Sequence, residues 1–174
     1  EKAASELKER IRERVTALKG PEASDQLGRL FVGTIHSYCF QMLQTYVPRY
    51  EMYTPLDANQ LTNLLYRDNY FLGIKQLRAS KGVFRNLAMF QRGVDVIENE
   101  LIDVDSLPDD PFKTAVIAYY RMLDRYQFMS FGTQIVRAVE ALGDPEIHAR
   151  VTASLRHLIV DEYQDVNPIQ ERLV

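Results

Sequence analysis

The 174-residue chain carries little that would staple a small or secreted fold together. Its single cysteine, Cys39, excludes an internal disulfide and fits a reducing, cytoplasmic setting. Cys39 and the three histidines, His36, His148 and His157, stand at no metal-ligand spacing, so no zinc site is expected. No apolar run approaches the ~20 residues of a membrane span, and no signal peptide is recognisable, so no membrane partner is expected. Internal repeats and low-complexity tracts are absent. So is a Gly-x-x-x-x-Gly-Lys-(Ser/Thr) phosphate loop. The nearest segments, Lys19-Gly20-Pro21 and Lys81-Gly82-Val83, lack the glycine spacing and the following hydroxyl.

The remaining composition suits one domain, or one domain and a small remnant. Apolar residues make up 46% of the chain, enough for a real core, and the net charge of −3 does not advertise nucleic-acid binding. Charge is unevenly spread. From Arg67 to Arg92 there are six bases and one acid, interleaved with Tyr66, Tyr70, Phe71, Phe84 and Phe90. Two readings stand for this block. Lys75, Arg78, Lys81 and Arg85 contact a DNA backbone, or the aromatics are core beneath a solvated basic helix face. From Gly93 to Asp110 follow seven acids and no base, read as a solvent-facing stretch.

Apolar spacing predicts a helix over 2–19, with Leu7, Ile11, Val15 and Leu18 on one face, stopped by Gly20-Pro21. Leu30 to Gly33 reads as a short buried strand. A Gly-Thr turn then leads into a helix over 35–46 with Ile35, Cys39, Met42 and Leu43 inward. Thr34, His36 and Ser37 lie at that helix's N-terminus, where free N–H groups and the positive dipole end suit a phosphate. Between Pro48 and Arg156 no segment reads as a strand. Helices are expected from an Asp57 cap to about Phe71, over 74–79, 83–100 and 112–128, from a Ser130 cap over 131–142, and from Asp144-Pro145 to about Leu155.

Leu158 to Val160 reads as a second short buried strand, ending on two adjacent carboxylates, Asp161 and Glu162. Ligands of open α/β sheets bind beyond the carboxyl ends of strands. A strand delivering Asp-Glu to that edge is the pattern of a Walker B element, in which the Asp holds Mg²⁺ and the second carboxylate orients or deprotonates water. The bland alternative is a strand end with solvated carboxylates. Asn167 and Gln170 fit a capping box around Pro168, which explains Gln170 without a functional role.

The continuation, Asp161-Glu162-Tyr163-Gln164-Asp165-Val166-Asn167-Pro168-Ile169-Gln170, resembles motif II of the UvrD/Rep family of superfamily 1 DNA helicases, Asp-Glu-x-Gln-Asp-x-(Asn/Ser)-x-x-Gln, at every fixed position. Lys2-Ala3-Ala4-Ser5-Glu6-Leu7-Lys8-Glu9-Arg10-Ile11 is similar to the end of the family's motif Ia, and Gly33-Thr34-Ile35-His36-Ser37-Tyr38 to motif Ib. The motifs appear in the family's order, the last two more than a hundred residues apart.

The resemblance implies an α/β, strongly α-rich fold: part of a RecA-like P-loop NTPase domain, 1A, at residues 1–47 and 156–174, with a helical 1B insertion at 48–155. It implies ATP and Mg²⁺ as cofactors, and single-stranded DNA, a single-strand/duplex junction and a second RecA-like domain as partners. Asp161 would hold Mg²⁺ and Glu162 would activate water, with Gln164 and Asp165 beside the nucleotide. Thr34, His36, Ser37 and Lys2 would lie along DNA. His36 as a satisfied core histidine, and Thr34 and Ser37 as plain helix caps, stand beside that reading. The family often carries an acid late in the insertion where this chain has Thr133. The expected parent is an ATP-dependent helicase moving 3′ to 5′, acting in DNA repair or recombination. The chain would be a segment of it, inactive alone because the phosphate loop and second domain are missing. The helicase subunit of a helicase-nuclease, a docking module for DNA or protein, and a non-catalytic homologue are the alternatives.

Overall fold

Helical periodicity decides most of the backbone. The computed structural model describes residues 2–20, 22, 26–77 and 82–174. In chain order it contains α1 (Lys2–Lys19), α2 (Ile35–Tyr46), β1 (Thr54–Pro55), α3 (Ala58–Arg67), α4 (Val83–Asn99), α5 (Pro111–Tyr126), β2 (Phe128–Met129), α6 (Phe131–Leu142), α7 (Pro145–Ser154) and α8 (Pro168–Leu173). Asp57, Asp110, Ser130, Asp144 and Asn167 each cap the helix that follows by accepting a backbone N–H. Proline stands at the start of α5, α7 and α8, where its missing N–H costs nothing.

Three expectations are corrected. Leu30–Gly33 and Leu158–Val160 are not strands: neither is paired among the described residues, and Phe31, Leu158 and Ile159 are exposed. A strand exists only by exchanging hydrogen bonds with a neighbour, and here none lies alongside. Conversely, the middle of the chain, expected to lack strands, holds a small parallel sheet, with Thr54 opposite Phe128 and Pro55 opposite Met129. The bonds Thr54 N–H to Gln127 O (2.8 Å) and Leu56 N–H to Met129 O (2.7 Å) tie it together. The pairing sits where α5 ends, at Gln127 in a left-handed conformation. The fold is thus strongly helical with one small sheet. Finally, α3 stops at Arg67 instead of about Phe71. A turn follows, Gly73 takes φ +70°, and Leu72 and Ile74 swing into the core. The short helix expected next is a 3-10 turn, Ile74–Leu77.

The chain forms two compact units, Glu1–Tyr38 and Cys39–Val174. In the first, the apolar stripe of α1 is only partly covered, with Leu7 and Leu18 exposed. The second owns the main core. Leu64 and Leu65 of α3, Leu87, Phe90, Val94 and Ile97 of α4, and Val116, Tyr119 and Leu123 of α5 are buried together. Phe90 meets Phe112 and Tyr119 edge-on, at centroid distances of 6.0 and 5.8 Å. Burying such a ring stabilises the fold by about 1.5–3 kcal/mol. Helix α6 packs on α4 and α7, and α8 packs on α6 and α4.

One member of the acidic stretch is not solvent-facing. Glu98 on α4 is buried at 4% exposure. It lies four residues after Val94, on the same apolar face. Gly132 of α6 makes room for it: a Cβ there would stand 1.7 Å from Glu98 Oε2. Burial, then the charge of Asp95, pushes the Glu98 carboxyl up to about 8, while Tyr120 and Arg137 act the other way.

Between the ordinary carboxyl pKa of 4.5 and about 8, the unfolded chain releases a proton that the folded chain keeps. The contribution of Glu98 to stability is therefore present below pH 4.5 and is lost as pH rises to about 8. Urea midpoints from about pH 5 to about pH 9 are expected to fall in the wild type and to fall less steeply in Glu98→Gln. The same slope in both proteins would show that Glu98 is ionised when folded.

Candidate functional site

The motif II residues sit on a turn built outward from a buried anchor. Ile169 of α8 is 1% exposed. Asn167 and Gln170 form the expected reciprocal cap: Gln170 N–H donates to Asn167 Oδ1 (3.0 Å) and Asn167 N–H to Gln170 Oε1 (3.2 Å). The Asn167 side-chain amide also donates to Asn99 Oδ1 at the end of α4, at 2.8 Å. Gln170 is thereby a structural residue.

Ahead of this anchor, Glu162 adopts φ 50°, ψ 42°, a left-handed conformation costing about 1–2 kcal/mol for a residue with a Cβ. Such strain concentrates at functional sites. The Glu162 carbonyl accepts the Asp165 N–H at 2.9 Å, closing the 3-10 turn Tyr163–Asp165. Asp161 Oδ1 accepts the Glu162 N–H at 3.0 Å, and the Gln164 side-chain amide donates to the Glu162 carboxylate. Asp161, Glu162, Gln164 and Asp165 are all exposed. The structure therefore gathers these four on one solvent-facing turn.

Asp161 offers a hard oxygen donor in the open. Among the described residues no three His, Cys, Asp or Glu side chains converge on a point that could cage a cation. That donor set fits Mg²⁺, which keeps most of its waters and takes one or two carboxylates together with substrate phosphates.

The second set lies in the other compact unit, on the turn into α2. Thr34 caps the helix. Its Oγ accepts the Ser37 N–H at 3.2 Å and donates to Ser37 Oγ at 3.1 Å, while Ser37 Oγ donates to Thr34 O at 2.9 Å. Both side chains remain exposed, so capping leaves them reachable. Gly33 leaves room for its neighbours: a Cβ would stand 2.6 Å from the end of the Phe31 ring and 2.7 Å from Ser37 Oγ, so those side chains would have to shift. His36 is half-buried, and burial holds its pKa below the ordinary value, favouring the neutral imidazole. Lys2 opens α1, and its side chain lies outside the described residues.

In the basic block, Lys75 and Arg85 are exposed; Arg78 and Lys81 lie outside the described residues. Of the five interleaved aromatics, Phe90 alone is core. Tyr66, Tyr70, Phe71 and Phe84 are 48%, 81%, 83% and 70% exposed. Thr133, where the family resemblance points to an acid, is buried and caps α6 with Ser130. Cys39 is fully buried, and burial raises its thiol to about 12, which leaves it inert. Sequence reasoning missed Glu98, although its helical spacing from Val94 is an available signal.

No helix among the described residues is long and apolar enough to cross a membrane. The UvrD/REP helicase N-terminal domain family matches residues 1–174. The chain is 28% identical over 191 residues to ATP-dependent DNA helicase UvrD1 of Mycobacterium leprae (strain TN), covering 99% of this chain and 22% of that protein. It is 29% identical over 191 residues to the protein of the same name in Mycobacterium bovis (strain ATCC BAA-935 / AF2122/97), covering 99% of this chain and 23% of that protein. The chain thus spans less than a quarter of the length of these relatives. With a match along all of its residues and motifs at both ends, the chain belongs to the UvrD/REP helicase N-terminal domain family.

Proposed function

We propose that this chain is the part of an ATP-dependent DNA helicase that carries the water-activating carboxylate, one metal ligand and a strand-facing turn. The parent would move 3′ to 5′ on single-stranded DNA and unwind duplex in repair or recombination. The observation that carries the reading is the exposed turn on which Asp161, Glu162, Gln164 and Asp165 converge ahead of a buried anchor. Residues 1–47 and 156–174 would belong to a RecA-like domain, 1A, and 48–155 to its helical insertion, 1B. The exposed apolar side chains of Leu158 and Ile159 in one unit, and of Leu7, Leu18 and Phe31 in the other, suit surfaces that the remaining strands and helices of such a domain would cover.

The residues divide the work by chemistry. Asp161 would hold Mg²⁺ by a carboxylate oxygen, and the bound ion would neutralise charge on the phosphates of ATP. Glu162 accepts a proton from water at its carboxylate, and Gln164 holds that carboxylate by its amide. On strand binding the Thr34 and Ser37 hydroxyls would turn their protons from Ser37 Oγ and Thr34 O to strand phosphates, and neutral His36 would donate to or stack on the strand. A second RecA-like domain would close over the motif II turn, and its opening with each turnover would move the strand.

In the full-length protein, Glu162→Gln keeps size and hydrogen bonding but removes the base. ATP turnover is expected to fall about 10²–10⁴-fold with ATP binding retained. Near-normal turnover would remove Glu162 from that role. For the strand-facing turn, His36→Ala is expected to lower DNA affinity and DNA-stimulated turnover together, with DNA-independent turnover and melting temperature nearly unchanged. A protein destabilised by about 1–3 kcal/mol that binds DNA normally would make His36 a structural residue.

A further inference from the structure

The four exposed aromatics of the basic block form two ring pairs on the helical unit. Tyr66 closes α3 and Phe84 opens α4, and their rings stack at 5.0 Å between centroids and 9° between planes. Tyr70 and Phe71 stand on the turn after α3, in edge contact at 5.9 Å. Leu72 and Ile74, which follow Phe71 in the chain, and Leu87, on the first turn of α4 with Phe84, are core. Folding a chain with Tyr70 and Phe71 more than four-fifths exposed gains almost nothing from their burial.

The stretch that carries the rings is mostly basic: Lys75, on the 3-10 turn that follows Phe71, and Arg85, next to Phe84 in the chain, are exposed. Arg67 ends α3 and is engaged by Asp68, the one acid between Arg67 and Arg92. Aromatic faces set among cations match a polymer that offers both flat bases and phosphates. Duplex DNA offers phosphates, but its base faces are covered by neighbouring pairs. Only an unpaired strand presents both.

We propose that Tyr66, Phe84, Tyr70 and Phe71, with Lys75 and Arg85, form a stacking platform for unpaired nucleotides on the helical unit, separate from the turn at Thr34–Ser37. It rests on the functional reading above only for the identity of the polymer as DNA. The platform holds one separated strand by base stacking and backbone charge, without base-edge readout, and so is indifferent to sequence.

The test is anisotropy of a fluorescein-labelled fifteen-nucleotide oligothymidylate, an abasic strand of the same length and a blunt duplex, titrated with the 174-residue chain. The wild type is expected to bind oligothymidylate more tightly than the abasic strand. The double variants Tyr66→Ala/Phe84→Ala and Tyr70→Ala/Phe71→Ala are expected to weaken oligothymidylate binding about tenfold or more, to leave abasic binding unchanged and to keep the salt slope. Phe84→Trp is expected to retain binding and to add indole fluorescence that the strand quenches. This variant keeps the proposal open to refutation should an alanine pair unfold. Lys75→Gln/Arg85→Gln is expected to weaken both strands and make the salt slope shallower by about one unit for each phosphate no longer neutralised. Oligothymidylate bound equally well by the aromatic variants would overturn the platform and leave the helicase reading intact, marking the rings as a protein-docking surface. Equal wild-type affinity for the abasic strand or the duplex would overturn it too. Failure of the wild type to bind any of the three nucleic acids, joined by failure of His36→Ala to affect the full-length protein, would remove both readings.

Discussion

The packing of α4 is the constraint from which the rest follows. One face of Val83–Asn99 puts Leu87, Phe90, Val94 and Ile97 into the core. Its first turn pushes Phe84 outward against Tyr66, and its last residue, Asn99, holds Asn167. The Tyr66–Phe84 pair and the Asn167 cap of the motif II segment therefore meet opposite ends of one half-buried helix. Loosening that helix would disturb both. Glu98 sits on the same face, and the absence of a side chain at Gly132 lets α6 approach it. A buried carboxyl kept protonated near neutrality makes the helix's packing sensitive to pH where hydrocarbon alone would not be.

The motif II turn combines a firm base with an unsupported tip. Ile169 and the Asn167–Gln170 cap fix its exit, whereas Leu158 and Ile159 lead into it without a neighbouring strand among the described residues. Within the turn, backbone strain at Glu162 and the hydrogen bond from Gln164 orient the carboxylate, and the Asp161 carboxylate closes back on the adjacent N–H. Under the proposed function, the carboxylates of this turn would act on a nucleotide bound beside it, in hydrolysis coupled to domain movement.

Most helices are legible in the sequence because capping and periodicity are local. Asp57, Ser130, Asp144 and Asn167 announce their helices by side-chain chemistry that acts within the first turn. Strands are not legible, because a strand is a relation between segments. Leu158-Ile159-Val160 has the apolar run but no partner, while Thr54 and Phe128 pair from far apart in the chain with no pattern to signal it. The motif II quartet is legible as a set because its residues are contiguous. The exposure of Tyr66, Tyr70, Phe71 and Phe84 is not, since an aromatic run in a basic block reads equally as core. The early end of α3 at Arg67, set by the turn to Gly73, decides that question, and turn geometry of that kind is the least local part of the reading.

The proposed role of Asp161 as a Mg²⁺ ligand in ATP hydrolysis is tested by metal rescue. In the full-length protein, Asp161→Cys exchanges a hard oxygen for a soft sulfur at the same position. DNA-stimulated ATP turnover is expected to be lost with Mg²⁺ and partly restored by Mn²⁺ or Cd²⁺, with wild-type turnover highest in Mg²⁺. Undiminished turnover of Asp161→Cys in Mg²⁺ would contradict the account, because the exposed turn would then carry carboxylates that the metal never meets.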